Sequence, residues 1–339
     1  MKISIVIPCR NEVKYIEECI EAIYNCDLPT EATIQTFVVD GMSNDGTREL
    51  VQKLTERFAN LRLVDNEKQL TPFAFNLGIY AGGVVDYVQI VGARHILSKN
   101  YLQECLKTLI DKPDVWCVGG NIINEYVNET GEIISKAMST QFGMGLGNFR
   151  TLEKSGYTDT VTSPMYPYWV FEKIGFFDEE LIRNQDDDFN FRVEKEGGKI
   201  YYEHEISLKY YVRGDYNGLW RQFFQYGYWK VYVNRKHKAV TTWRQLIPPI
   251  FVLYILSVPF AANLLNETLG RIYSTPFAIY LGIALLTSVR LTETLSETLS
   301  MIWTYIILHL SYGFGYWKGI FHFLLFRRKP SKRQKRLSR

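Results

Sequence analysis

The chain begins with an apolar run, Ile3-Ser-Ile-Val-Ile-Pro8, then turns polar, then places Val13, Ile16, Ile20 and Ile23 at helical spacing. A short run followed by a 3.6-residue period predicts a buried strand leading into a helix that packs back on it. The design repeats. Phe37-Val-Val-Asp40 precedes a helix bearing Leu50, Val51, Leu54 and Phe58; Leu61-Arg-Leu-Val64 comes next; and Tyr87-Val-Gln-Ile-Val91 follows a helix over Pro72 to Ala81. Strands alternating with helices predict an α/β domain around a parallel sheet.

The pattern changes near the end. Leu246 to Leu265, Ile272 to Val289 and Thr298 to Trp317 contain no Asp, Glu, Lys or Arg, and each is close to the roughly 20 residues that cross a bilayer. A chain of 339 residues also exceeds the ~250–300 at which one core stops growing. The expected organisation is a soluble domain over 1–235, a membrane-associated helical region over 236–326, and a basic tail over 327–339. A buried helical bundle is the competing reading of the apolar runs. The tail holds eight basic residues in thirteen, which favours the cytoplasmic side. Met1-Lys2 leads straight into a core strand, so the soluble domain is expected on that side too. Domain and tail then require an even number of crossings, with spans at about 246–265 and 272–289. The third segment, 298–326, is expected to be interfacial or re-entrant, because it contains His309, Lys318 and His322 with Gly313, Gly315 and Gly319.

The net charge of +3 hides a local concentration. Between Lys209 and Arg244, Arg213, Arg221, Lys230, Arg235, Lys236 and Lys238 are interleaved with Trp220, Phe223, Phe224, Tyr226, Tyr228, Trp229 and Tyr232. Aromatics with cations beside an apolar span mark a membrane interface rather than a nucleic-acid surface. Cys9, Cys19, Cys26, Cys105 and Cys117 are odd in number and lack metal-type spacing, as core thiols in a reducing compartment would be.

Candidate chemistry sits at the strand ends. Ligands of open α/β sheets collect beyond the carboxyl ends of strands, where Arg10-Asn-Glu12 and Asp40-Gly-Met-Ser-Asn-Asp-Gly-Thr47 would lie; a plain turn capped by Thr47 is the alternative. The order IVIPCRNE, VVDGMSNDGT, the Asn76-Leu-Gly78 helix and Asn184-Gln-Asp-Asp-Asp-Phe-Asn-Phe-Arg192 resembles the inverting family 2 glycosyltransferases over about residues 1 to 235. It is most similar to their membrane-attached, succinoglycan-transferase-like group, which builds exopolysaccharide on a lipid carrier. That resemblance implies a GT-A nucleotide-diphospho-sugar transferase fold, three layers α/β/α with a mostly parallel sheet, followed by C-terminal membrane helices. It implies Pro8, Arg10, Glu12, Asp40, Ser43, Asp45 and Asn76 on the donor side. Asp186 aligns with the catalytic aspartate, Asp187 and Asp188 lie beside it, and Gln185 stands where many relatives have Glu. An inverting transfer needs one carboxylate as general base.

One departure follows the fourth strand. Relatives carry there Asp, any residue, then Asp or His, which binds Mg²⁺ or Mn²⁺ across the donor phosphates; this chain has Gly92-Ala93-Arg94-His95. Three readings stay open: Arg94 neutralises the diphosphate; a metal binds through His95 and the Asp186 to Asp188 cluster; or the chain is inactive, a membrane-bound transferase-like subunit that serves as a binding partner. The glycine clusters Gly119-Gly-Asn121 and Gly143 to Asn148, beside Thr158, Asp159, Thr160 and Ser163, resemble a flexible region over an acceptor site. Gln222, Trp229 and Lys230 do not reproduce the motif order of processive relatives. The expected activity is transfer of a single sugar from a nucleoside-diphosphate sugar to a polyprenyl-diphosphate-linked acceptor at the cytoplasmic membrane face. Expected partners are membrane lipid and other biosynthetic transferases, with no nucleic acid.

Overall fold

The computed structural model describes residues 1–145, 149–212 and 214–330, without the side chains of Ala262 and Asn263. Gly147, Asn148, Arg213 and the tail beyond Pro330 lie outside the described residues. Strand β1 (Lys2–Cys9) alternates as its pattern predicts. Ile3, Ile5 and Ile7 enter the core formed with Ile16, Cys19, Ile20 and Ile23 of α1 (Ile16–Tyr24). β2 (Thr33–Asp40), α2 (Thr47–Arg57), β3 (Leu61–Asp65), α3 (Thr71–Gly82) and β4 (Tyr87–Ile90) follow. The opposite face of β1 receives α3 so closely that a Cβ on Gly78 would lie 2.3 Å from Val6, and one on Gly82 would lie 2.3 Å from Ser4 Oγ. Each face of the strand is therefore covered by helix, the condition for a buried parallel sheet.

Strands β3, β2, β1 and β4 are adjacent and parallel, with Cys9 opposite Asp40 and Asp40 opposite Asp65. Their carboxyl ends consequently share one edge. The chain continues through β5 (His95–Leu97), α4 (Tyr101–Asp111), β6 (Val115–Glu125), α5 (Glu129–Met138), α6 (Gln141–Met144), β7 (Gly156–Thr158), β8 (Thr162–Pro167), α7 (Tyr168–Ile174), α8 (Gln185–Lys195) and β9 (Lys199–Tyr211). The sheet order is β3-β2-β1-β4-β8-β6-β9-β5, with β7 also on β9. β8 runs antiparallel to β4 and β6, and β5 and β7 run antiparallel to β9. Because β9 runs parallel to β6, strands β3, β2, β1, β4, β6 and β9 point one way and β5, β7 and β8 the other, so the sheet is mostly parallel, as expected, with antiparallel returns. Short returns such as β8 lack the alternating helix that reveals a parallel strand in sequence.

The chain divides into two compact units, Met1–Glu125 with Leu152–Tyr211, and Tyr126–Thr151 with Val212–Arg339. The boundary expected at 235 instead falls inside α9 (Tyr216–His237), and α5 and α6 belong with the helices. The second unit continues with α10 (Ile247–Leu264), α11 (Glu267–Val289) and α12 (Leu295–Gly319). Ile133, Ile134, Ala137 and Met138 of α5 share a core with Leu219, Phe223, Met301, Tyr305 and Leu308. Much of the aromatic stretch of α9 is therefore interior: Phe223, Tyr228 and Trp229 are buried, while Trp220 is exposed. Trp243, beyond the helix, is exposed as well.

Among the described residues, two helices are long and apolar enough to cross a membrane, Trp243–Ala261 and Glu267–Val289. Ile250, Leu253, Leu256, Phe260, Ile272, Ile279 and Leu286 are exposed along them. α12 differs from the expectation of a breakable segment. It is one continuous helix, and its glycines serve packing. A Cβ on Gly315 would stand 2.0 Å from the Phe224 carbonyl oxygen of α9, and one on Gly319 would stand 2.7 Å from that of Tyr228. From the other side, a Cβ on Gly227 would stand 2.1 Å from the Tyr312 carbonyl oxygen. His309 is held at both ring nitrogens, by the Tyr280 hydroxyl at 2.9 Å and the Phe142 carbonyl at 3.0 Å, so this polar residue of α12 is an internal tie.

Replacing an interior helical Gly by Ala ordinarily favours the helix by about 0.8–1 kcal/mol. At Gly315 overpacking against backbone outweighs this, at about 1–3 kcal/mol. Gly315→Ala is expected to lower the melting temperature of the solubilised chain, whereas Gly270→Ala, with open space around its Cβ, leaves it unchanged or higher.

Candidate active site

Two turns on the shared edge are stitched together before any ligand is considered. After β1, Asn11 adopts φ 55°; its N–H donates to Ser43 Oγ at 2.8 Å, and its Oδ1 accepts from Asn44 N–H at 3.0 Å. The next N–H, of Glu12, donates to Thr47 Oγ1 at 2.9 Å. Thr47 is therefore not the cap. Gly46, at φ 96°, occupies that position, and Thr47 is the first residue of α2. Asp45 accepts from the Thr47 hydroxyl at 2.5 Å, from the Thr47 N–H at 3.1 Å and from Val13 N–H at 3.3 Å. Desolvation would raise its pKa, but these hydrogen bonds together outweigh it and hold it below the ordinary carboxylate value.

Asp40 is fully buried at the end of β2. It accepts from the Ser43 N–H at 2.9 Å and from the Ser43 hydroxyl, and pairs at 2.9 Å with Arg48, which also reaches Asp65 at 2.8 Å. A buried carboxylate survives only with such partners. Arg48 and Asp65 are absent from the sequence expectation. The signal for them is the register that sets Asp65 beside Asp40, which sequence spacing does not display. Pro8 is half-buried opposite Val39, and Arg10 lies along Gly41, where a Cβ would stand 3.3 Å from the arginine Cβ and Cδ.

β4 ends at the departure from the metal pattern. The His95 ring lies over Gly92, close enough that a Cβ there would stand 2.9 Å from Cε1. His95 Nδ1 lies 2.7 Å from Ser163 Oγ and accepts from Gly92 N–H at 3.3 Å, and the ring meets Tyr210 edge-on at 5.3 Å. That geometry fits Nδ1 as acceptor and the proton on Nε2. Ser163 itself sits at φ 41°. Arg94 pairs with buried Glu12 through Nε at 2.6 Å and lies 4.9 Å from the Tyr15 ring. Burial alone would lower the guanidinium pKa, but Glu12 reverses this and the net shift is upward. A hard cation needs several oxygen ligands. Gly92 has no side-chain ligand, His95 Nδ1 is engaged and Arg94 is itself a cation, so these residues do not fit Mg²⁺ or Mn²⁺. Among the described residues no group of three His, Cys, Asp or Glu side chains could hold a metal.

α8 separates the three neighbouring carboxylates. It follows Asn184, at φ 60°, and starts with Asp186, Asp187 and Asp188 in its first turn, where the helix dipole favours negative charge. Asp186 is exposed, and its charge adds to burial and Cys117 in raising the pKa of Tyr166 in β8. Asp187 accepts from Asn184 Nδ2 at 2.6 Å. Asp188 departs from the catalytic expectation. It is 0% exposed and pairs at 3.0 Å with Arg192, whose other nitrogens donate to the carbonyls of Ile174, Gly175 and Phe176. Asp188 is therefore a structural brace.

Asn76 also departs from its expected donor role. It is buried, donates to the Phe177 carbonyl at 2.9 Å and to Glu179 at 3.1 Å, and accepts from Phe177 N–H at 3.0 Å. It ties α3 to the segment before α8. Gly119 and Gly120 are strand residues whose Cβ atoms would stand 2.4 and 2.6 Å from the carbonyl oxygens of Thr162 and Ile206, so they serve tight strand packing rather than a flexible cover. Gly143 packs equally closely on Ala137.

Residues 4–169 match the family model described as glycosyl transferase family 2. The chain is 30% identical over 328 residues, covering 94% of it and 97% of the relative, to the dolichyl N-acetyl-alpha-D-glucosaminyl phosphate 3-beta-D-2,3-diacetamido-2,3-dideoxy-beta-D-glucuronosyltransferase of Methanococcus voltae. It is 24% identical to the succinoglycan biosynthesis protein ExoA of Rhizobium meliloti, over 94% of this chain and 95% of that one. Among solved structures, mannosyltransferase PcManGT from Pyrobaculum calidifontis, in complex with GDP-Man and Mn²⁺, shares the fold. The TM-score is 0.62 at 17% identity, over 90% of this chain and 85% of that one.

Asn76→Ala would leave the Phe177 N–H and carbonyl buried without partners, costing about 1–3 kcal/mol. The expected outcome is a lower melting temperature with unchanged nucleotide affinity in the folded fraction, read by thermal unfolding and calorimetry.

Proposed function

This chain belongs to glycosyl transferase family 2, and we propose that it moves one sugar, with inversion, from a nucleoside-diphosphate sugar to a lipid-linked saccharide at the cytoplasmic face of a membrane. One observation carries the acceptor reading. Similarity to a relative named for a dolichyl phosphate-linked acceptor runs through the helical unit instead of stopping with the family model at residue 169. The two long apolar helices with exposed faces support attachment to the membrane in which such an acceptor resides. With two crossings, the transferase domain and the basic tail occupy the same side.

Asp186 is the proposed general base, supported by its exposure at the start of α8 while Asp188 is locked inside. It takes the proton of the acceptor hydroxyl as that oxygen bonds to the anomeric carbon. The bond to the phosphate oxygen breaks on the opposite face, and its electron pair departs with the nucleoside diphosphate. Ser43 and Asp45 would border the nucleoside, with Asp40 holding Ser43 from behind.

Loss of a general base costs about 10²- to 10⁴-fold in rate. Asp186→Asn is expected to fold normally and lose at least a hundredfold in transfer, whereas Asp188→Asn loses stability instead. Retained turnover by Asp186→Asn removes it as the base. For the acceptor, full-length protein is supplied with polyprenyl- or dolichyl-phosphate-linked sugar and a panel of nucleotide sugars. A lipid product heavier by one sugar is expected; transfer confined to water-soluble saccharides defeats the reading.

A further inference from the structure

A sugar nucleotide brings a multiply charged diphosphate to the strand ends, and that charge grows as the sugar departs. Something cationic must meet it in a site that excludes water. The residues at the end of β4 do not suit a divalent metal, for three independent reasons on the page: Gly92 has no side-chain ligand, the His95 ring covers the space above it, and Arg94 would repel an incoming cation. The same residues do suit an anion.

Arg94 is fixed along one edge and presented along the other. Its Nε donates to Glu12 at 2.6 Å, and its guanidinium lies 4.9 Å from the Tyr15 ring, which in turn packs 4.9 Å from Tyr211. Among the described residues, neither terminal nitrogen of Arg94 donates to a protein acceptor, although the side chain is 35% exposed. An ion pair formed purely for stability would direct those nitrogens to carboxylate or carbonyl oxygens, as Arg192 does. A planar fork with its outer edge unclaimed matches two phosphate oxygens. Glu12 offsets part of the charge but fixes the orientation, and Arg10, at the end of the adjacent strand β1, supplies a second positive group beside Gly41.

We infer that Arg94 holds the donor diphosphate in place of a divalent metal, with Glu12 and Tyr15 as positioning residues that aim its outer edge. The inference rests on the nucleoside-diphosphate-sugar donor proposed above. Lysine cannot substitute, since it retains the charge but has neither the fork nor the ring-stacking plane.

The test measures binding by full-length protein in detergent, using UDP and GDP beside uridine and guanosine, each by calorimetry in EDTA and in Mn²⁺. In EDTA the preferred diphosphate is expected to bind at least tenfold tighter than its nucleoside, about 1.4 kcal/mol, and Mn²⁺ should change this by less than about twofold. Arg94→Ala should erase the diphosphate advantage while nucleoside affinity stays the same, and Arg94→Lys, which keeps a partner for Glu12 if the alanine variant fails to fold, should lose most of it. A diphosphate advantage that appears only with Mn²⁺, or that survives in Arg94→Lys, overturns the inference and leaves the donor reading standing. Absence of binding by either diphosphate under both conditions overturns the two together.

Discussion

The site depends on two backbone N–H groups, those of Asn11 and Glu12, being claimed by hydroxyls of the following strand's turn. Together with the Asn44 to Asn11 and Val13 to Asp45 bonds, these links join two loops that would otherwise each carry their own conformational entropy, about 1–2 kcal/mol per residue. The links are strong enough to retain backbone that is unfavourable in isolation. Asn11 and Met42 both sit at positive φ, at an order of 1 kcal/mol or more each, while a hydrogen bond returns about 1 kcal/mol. Two such bonds converge on Asn11. The result is a rigid rim on which Glu12 points back at Arg94 and Asp40 is sealed behind Ser43.

A second constraint is the absence of side chains where elements meet most closely. Gly78 and Gly82 let α3 rest on β1, and Gly227, Gly315 and Gly319 let α9 and α12 meet at backbone distance. The first contact brings a helix against the strand whose end carries Arg10 and Glu12. The second gives the helical unit its main internal seam. A methyl group there would strike Val6, the Ser4 hydroxyl or a backbone carbonyl, so the separation of the elements is set by glycine.

The alternation of the first half was legible because each strand in it is followed by a helix and each carries one hydrophobic face. β1, β2, β3 and β4 appear where the apolar runs fall. The later strands were not legible, since β7 and β8 are short and bounded by Ser, Thr and Pro, and β9 pairs with residues far away in sequence. At the site, residue type located the cluster but not the direction of each side chain. Asp186, Asp187 and Asp188 are successive, yet helical rotation of about 100° per residue sends one outward and one into the core. Asn76 likewise has the chemistry of a ligand contact and is spent on Phe177 and Glu179. Glycine was misread in two places because its permissiveness in loops and its smallness at contacts are indistinguishable from composition.

The detour at 126–151 carries a consequence for how this protein can be divided. Its α5 interior face, with Ile133, Ile134, Ala137 and Met138, is covered by residues of α9 and α12 that arrive in the chain roughly eighty positions or more later. A shortened polypeptide ending at Tyr211 would retain that detour while discarding everything that shields it, leaving a greasy stripe on an otherwise water-compatible body. The transferase half is therefore not separable by a single cut, and biosynthesis must finish the last helix before the middle of the chain can settle.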